Sequence, residues 1–374
     1  SKRKHSSDGT LLTNVAEHRH RNIEQQFAFV DSQLSGIDIP VDSDIVDRLI
    51  SSIDRTLDQA EQRKQDYLDL VEQDGSEQLQ RSFYQHYVTQ LDFAEQFLER
   101  LQQTHTYTDI HHQQRREGFQ DRLAYTSAVC DELEDVFRFD VDIIPVIWDG
   151  YALLTILEAD LYVLWLPRDE QRIPNAPFLA HEFGHAVLEQ IDKTPPQQFR
   201  DRLADFADGF AEEQEDAVFY TWNQWFDELF CDAIGFFTFG PAYLLSAIYR
   251  LQKDDPYAFP DQIGPHTEFH PPDALRFTYL DTLAAEHLPD ELYARTAADR
   301  EEYRGHLDLL ADEEPLYYED WISDDLLTLT TDTAREQGTD LDRLVTYLTG
   351  DESTDPPPGL ELRAACNNFW LDDR

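Results

Sequence analysis

His181 and His185 stand four residues apart, with Glu182 directly after the first. On a helix, positions i and i+4 stack on one face, so two imidazoles at this spacing can hold one metal ion. The carboxylate beside them is placed to take a proton from a metal-activated water and pass it to a leaving amine. This His-Glu-x-x-His pattern points to zinc-assisted hydrolysis. Its surroundings suit a buried metal helix, since Phe178, Leu179, Ala180, Phe183, Gly184, Ala186 and Val187 are all uncharged.

A tetrahedral zinc needs a third protein ligand and keeps its fourth position for water. Leu188 and Ile191 fill the places where a metzincin carries Gly and His, which excludes that class. Glu189 lies on the right face, but eight residues beyond His181 is a rise of ~12 Å, too far for one metal. Glu228 is the better candidate. Around it Trp225, Phe226, Leu229, Phe230, Ala233 and Ile234 form a wide apolar stripe, while Glu228, Asp232 and Gly235 share a separate strip. Two carboxylates one turn apart on a mostly buried helix are costly unless a cation neutralises them. Gly235 on that strip would let another backbone come close.

His-Glu-x-x-His followed by Glu228-x-x-x-Asp232 resembles the gluzincins, the thermolysin-like clan. The resemblance implies Glu228 as third ligand and Asp232 as the carboxylate that orients a ligand imidazole. His270-Pro271-Pro272-Asp273-Ala274-Leu275-Arg276 is similar to the His-Pro-Pro-x-x-x-Arg element of the HtpX and CAAX-prenyl-protease-like branch. By that resemblance His270 lies beside the substrate and Arg276 supports the site. The match covers about residues 140–280. Members of the branch are generally membrane proteins; here the longest uncharged run, Ala233 to Tyr249, has 17 residues and carries Gly235, Gly240 and Pro241, which reads as a buried helix.

The elements that must position these residues form a mostly helical α+β chain. Residues 1–40 read as a loose, flexible segment and 41–139 as a helical bundle. In that bundle a helix opening at Ser43 carries the seam Val46, Ile50, Ile53, Leu57, Ala60, Tyr67 and Val71. A second carries Tyr84, Tyr87, Leu91, Ala94, Leu98 and Leu101, and a third Phe119, Leu123, Cys130, Leu133 and Phe137. The 43–101 seams offer a surface to a helical partner. Residues 140–282 read as a zincin-like domain with a small antiparallel sheet. Ile143 to Trp148 and Tyr151 to Leu157 flank Asp149-Gly150, a hairpin signal. Leu161 to Leu166 follows as the strand to which a peptide would add. Pro167 through Pro177 reads as a loop before the metal helix, and 283–374 as an acidic helical region.

With 76 acidic against 30 basic residues the net charge is −46, and only five of the basic residues are Lys. Such self-repulsion is relieved in molar salt, where the Debye length falls to ~3 Å, so the chain reads as halophilic. The same surface excludes nucleic acid as a partner. Three scattered cysteines, Cys130, Cys231 and Cys366, suit a reducing cytoplasm, and no apolar stretch follows the basic start as a signal peptide would. The expectation is a zinc metalloendopeptidase acting on proteins or peptides. The alternative is a helical interaction or regulatory protein with a structural or inactive zincin site. An intact Glu182 argues against it, since a structural metal has no use for a base.

Overall fold

The computed structural model describes residues 5–35, 39–40, 43–73, 75–138, 141–157, 160–168, 172–191, 195–251, 255–260, 263–264, 269–311, 318–350 and 355–372. It is mostly helical with one three-stranded sheet. Two compact units emerge, one from residues 1–120, 142–147 and 154–163, the other from 121–141, 148–153 and 164–374.

In the first unit, three long helices share one core: α1 (His5–Leu34), α2 (Ser43–Glu72) and α3 (Glu77–Gln114). Ser76 caps α3 by accepting from the Leu79 N–H. The second seam is buried as spaced, with Tyr87, Leu91, Ala94, Leu98 and Leu101 meeting Val46, Leu49, Ile53 and Ala60 of α2. The first seam ends early: Tyr67 meets Tyr84 in a tilted ring contact at 5.6 Å, and Val71 is exposed.

The segment read as loose is α1, and Ala16, Ile23, Val30 and Leu34 line the same core. Its repeat runs Ala16, His20, Ile23, Phe27, Val30, Leu34, a heptad pattern with a polar residue at one core position. His20 is tolerated there because its Nδ1 lies 3.3 Å from the Tyr87 hydroxyl. Most of both seams is therefore covered by helices of the same unit.

The sheet corrects the expected hairpin. Strands β1 (Asp142–Trp148), β2 (Ala152–Leu157) and β3 (Leu161–Pro167) lie in the order β1-β3-β2, and the sheet is mixed, not wholly antiparallel. The starts of β1 and β3 are joined, Asp142 N–H donating to the Asp160 carbonyl at 2.9 Å. β3 takes the centre because it is apolar on both faces and almost wholly buried, whereas β2 is half-exposed. A central strand has no free edge, so peptide addition at Leu161 to Leu166 is excluded. β1 is a blocked edge. Gln114 bonds both the N–H and the carbonyl of Ile147, His111 Nδ1 lies 2.8 Å from the Pro145 carbonyl, and Pro145 has no N–H to offer. β2 is the remaining edge.

The second unit holds α4 (Gln120–Phe137), α5 (Arg172–Gln190), α6 (Gln197–Ala207), α7 (Glu212–Phe239), α8 (Pro241–Arg250) and α9 (Asp273–His287). It also holds α10 (Asp290–Arg295), α11 (Ala297–Ala311), α12 (Asp324–Arg335), α13 (Leu341–Leu348) and α14 (Glu361–Asp372). The helix expected as the bundle's third is α4, which belongs here: Phe137 stacks on Phe183 of α5 at 5.8 Å. The loop before the metal helix is shorter than expected, since α5 starts at Arg172; residues 169–171 lie outside those described.

The acidic C-terminal helices join the same unit, α12 packing on α7 and α14 on α5 and α8. Asn367 of α14 ties the α7–α8 corner, donating to the Phe239 carbonyl at 2.9 Å and accepting from the Ala242 N–H at 3.0 Å. At that corner Gly240 has φ +59 and Pro241 opens the next helix, so the long uncharged run is two buried helices. Among the described residues no helix is long and apolar enough to cross a membrane.

Folding must hold this charge of −46 together. The melting temperature is expected to rise by ~10 °C or more between low salt and molar KCl, roughly 3 kcal/mol for units of this size. A scanning-calorimetry midpoint flat across that range would refute the halophilic reading and leave the metal argument untouched.

Candidate metal centre

Helices α5 and α7 bring the chemistry together because they touch at a glycine. A Cβ added to Gly184 would lie 3.0 Å from both Cα and Sγ of Cys231, so any side chain there would push the two helices apart by a few tenths of an ångström. This close approach sets His181 and His185 of α5 opposite Glu228 and Asp232 of α7. His181 Nε2 is 3.4 Å from Glu228 Oε2, and His185 Nε2 is 3.7 Å from Glu228 Oε1. The three residues each offer a ligand atom within 4.8 Å of the others, forming a group that could hold a metal ion. Donors bound tetrahedrally at 2.0–2.1 Å stand ~3.3 Å apart, so the observed spacing suits one metal. Glu228 Oε2 is buried and faces imidazole nitrogens of His181 and His270 at 3.4 and 3.0 Å without a hydrogen bond of good geometry to either, and a cation would satisfy its lone pairs.

The electrostatics favour positive charge. Burial alone would lower the pKa of His181, but its contacts with Asp232 and Glu228 outweigh burial and carry it to about 9. Burial would likewise raise Glu228, yet His181 and His270 hold it well below the usual carboxylate range. His185 is lowered, chiefly by burial. Glu182 is buried to 6% exposure and forms no hydrogen bond or ion pair with the described residues.

Behind the group, Asp232 is fully buried and accepts from three side chains. His181 Nδ1 is 2.9 Å from Oδ1, Arg276 donates through Nη2 to Oδ1 at 2.6 Å and through Nε to Oδ2 at 2.7 Å, and the Tyr243 hydroxyl donates to Oδ1 at 2.6 Å. Against the burial that would raise it, Arg276 and His181 hold Asp232 well below the usual carboxylate range. Arg276 enters from α9, which starts directly after Pro272. His270 lies on the open side, its side chain 73% exposed and Nδ1 3.0 Å from Glu228 Oε2.

No protein-family profile, no curated protein and no solved structure matches the chain.

Six of the seven residues singled out in the sequence, His181, His185, Glu228, Asp232, His270 and Arg276, are thus joined in one cluster from α5, α7, α9 and the segment before α9, and Glu182 follows His181 on α5. Sequence reasoning missed two participants. Tyr243 of α8 had no signal of its own; the signal was Gly235, whose missing side chain makes room for the Tyr243 ring and not for a backbone. Phe178 reads in the sequence only as one of the uncharged residues around the motif, yet its ring stacks on His181 at 5.1 Å, with the Arg250 guanidinium 4.4 Å from its centre. It shields the imidazole face from water.

Proposed function

We propose that this chain is a zinc-dependent metalloendopeptidase of the gluzincin kind, resembling the HtpX and CAAX-prenyl-protease-like branch. The observation that carries the reading is the convergence of His181, His185 and Glu228, with the buried Glu182 following His181 on the same helix. When bound, zinc supplies Lewis acidity toward a carbonyl oxygen and a water acidified to near neutrality. Glu182 takes the proton and hands it to the leaving amine. Asp232 accepts from Nδ1 of His181, leaving Nε2 free to face the metal, and Arg276 fixes Asp232 by a two-bond fork. His270, exposed beside Glu228, is the residue offered to substrate.

A peptide would add to β2, the edge that α3 does not block, near Tyr151, whose ring meets Phe178 in a tilted contact at 5.3 Å. Three free, buried cysteines suit a cytoplasmic setting.

Purified protein is expected to carry about one equivalent of zinc, lost in His181→Ala and in His185→Ala, since two remaining ligands hold zinc poorly. Metal analysis decides this. Protein never exposed to chelator that contains no zinc, and takes none up, would overturn the reading.

A further inference from the structure

We infer that Tyr243 is a positioning residue for the metal centre, its hydroxyl setting the carboxylate that in turn sets His181. The inference rests on the metallopeptidase reading and extends it to a residue on a fourth element, α8. Asp232 Oδ1 accepts from Arg276 Nη2 at 2.6 Å, from the Tyr243 hydroxyl at 2.6 Å and from His181 at 2.9 Å. Arg276 grips both oxygens and so fixes the plane of the carboxylate, but its Nη2 also stands 3.5 Å from His181 Nδ1. The fork alone therefore holds Oδ1 against the guanidinium and supplies nothing that aims it at the imidazole. Tyr243 supplies that aim, because its hydroxyl lies 3.2 Å from the same Nδ1 and pins Oδ1 beside it.

The ring reaches this place only across Gly235, one turn along α7 from Asp232. A Cβ there would sit 2.5 Å from Cδ2 and 2.6 Å from Cζ of Tyr243. These are aromatic ring atoms held in a fully buried side chain, so a methyl group must displace the ring. Gly235 and Tyr243 act as one device, in which the first residue supplies the space and the second the donor.

The test is zinc affinity, measured by competition with a chromogenic chelator, in wild type, Tyr243→Phe and Gly235→Ala. Tyr243→Phe removes one oxygen, which lies against the Nδ1 side of His181 at 3.2 Å, and takes away no ligating atom. It is expected to weaken zinc binding ~10-fold, the low end of what losing such an outer partner costs. The gain in melting temperature on adding zinc should shrink with it, while the far-ultraviolet dichroism of the metal-free protein stays that of wild type. Gly235→Ala should weaken zinc at least as much, and the double variant no more than the worse single one, since both act through one hydroxyl. A Tyr243→Phe protein that melts lower with and without zinc yet keeps the wild-type dissociation constant would overturn the inference and make the tyrosine a packing residue. Wild type that binds no zinc would instead overturn the reading beneath it.

Discussion

Glu182→Gln is expected to keep its metal and its fold while losing ~10²–10⁴-fold in peptide hydrolysis, the share that a positioned proton carrier supplies. The amide has the shape of the acid but cannot take a proton from water at neutral pH. Glu182 makes no hydrogen bond or ion pair with the described residues, so among them the substitution breaks none. Replacing a mostly buried carboxylate by a neutral isostere also removes a desolvation cost, and stability should stay level or rise slightly. The measurement is turnover of a peptide library in molar salt beside metal content and melting temperature of the same preparations. Hydrolysis equal to wild type would end the general-base assignment. If neither protein cleaves anything while both hold zinc, the centre is structural and the interaction-protein alternative takes its place.

The metal helix was legible because its logic is local. Two histidines four apart, flanked by uncharged residues, need only a helix to become a site, and a helix is what apolar spacing announces. The seam of α3 was legible for the same reason. What failed was decided by partners distant in sequence. His20 interrupts the heptads of α1 with a polar residue, and its core partner, Tyr87, stands 67 positions away. Asp149-Gly150 does mark a turn, but a turn signal does not say which strand fills the space beside it. That is set by burial, and the unbroken apolar run of β3 outcompetes the half-exposed β2 for the centre. Asp232 could be placed on the right strip of α7 by spacing alone. The three donors that surround it arrive from α5, α8 and α9, and of these Tyr243 left no trace beyond a glycine that accommodates it.

The largest loss of stability is expected from Arg276→Ala, although Arg276 is no metal ligand. Its guanidinium and the carboxylate of Asp232 are buried together, at 7% and 0% exposure, and joined by two hydrogen bonds of 2.6 and 2.7 Å. Removing the arginine strips Asp232 of two of its four donor contacts and leaves a fully buried anion short of a cation. Breaking a buried pair from one side costs about 3–5 kcal/mol, which for a unit of this size lowers the melting temperature by ~10 °C. Arg276→Lys should recover only part of this, because an ammonium cannot form the fork that spans both carboxylate oxygens. A second comparison separates folding from metal binding. Replacing both charges, Asp232→Asn with Arg276→Met, removes the uncompensated anion and should return most of the stability, as buried pairs exchanged for uncharged residues commonly do. It should not return the zinc affinity, because an asparagine oxygen is a weaker acceptor for the imidazole N–H than a carboxylate. Urea midpoints for the three variants beside their zinc affinities give the answer. An Arg276→Ala protein as stable as wild type would mean that Asp232 is neutralised by something other than the arginine. A double variant that regains zinc as well as stability would mean that the carboxylate serves the fold and not the metal.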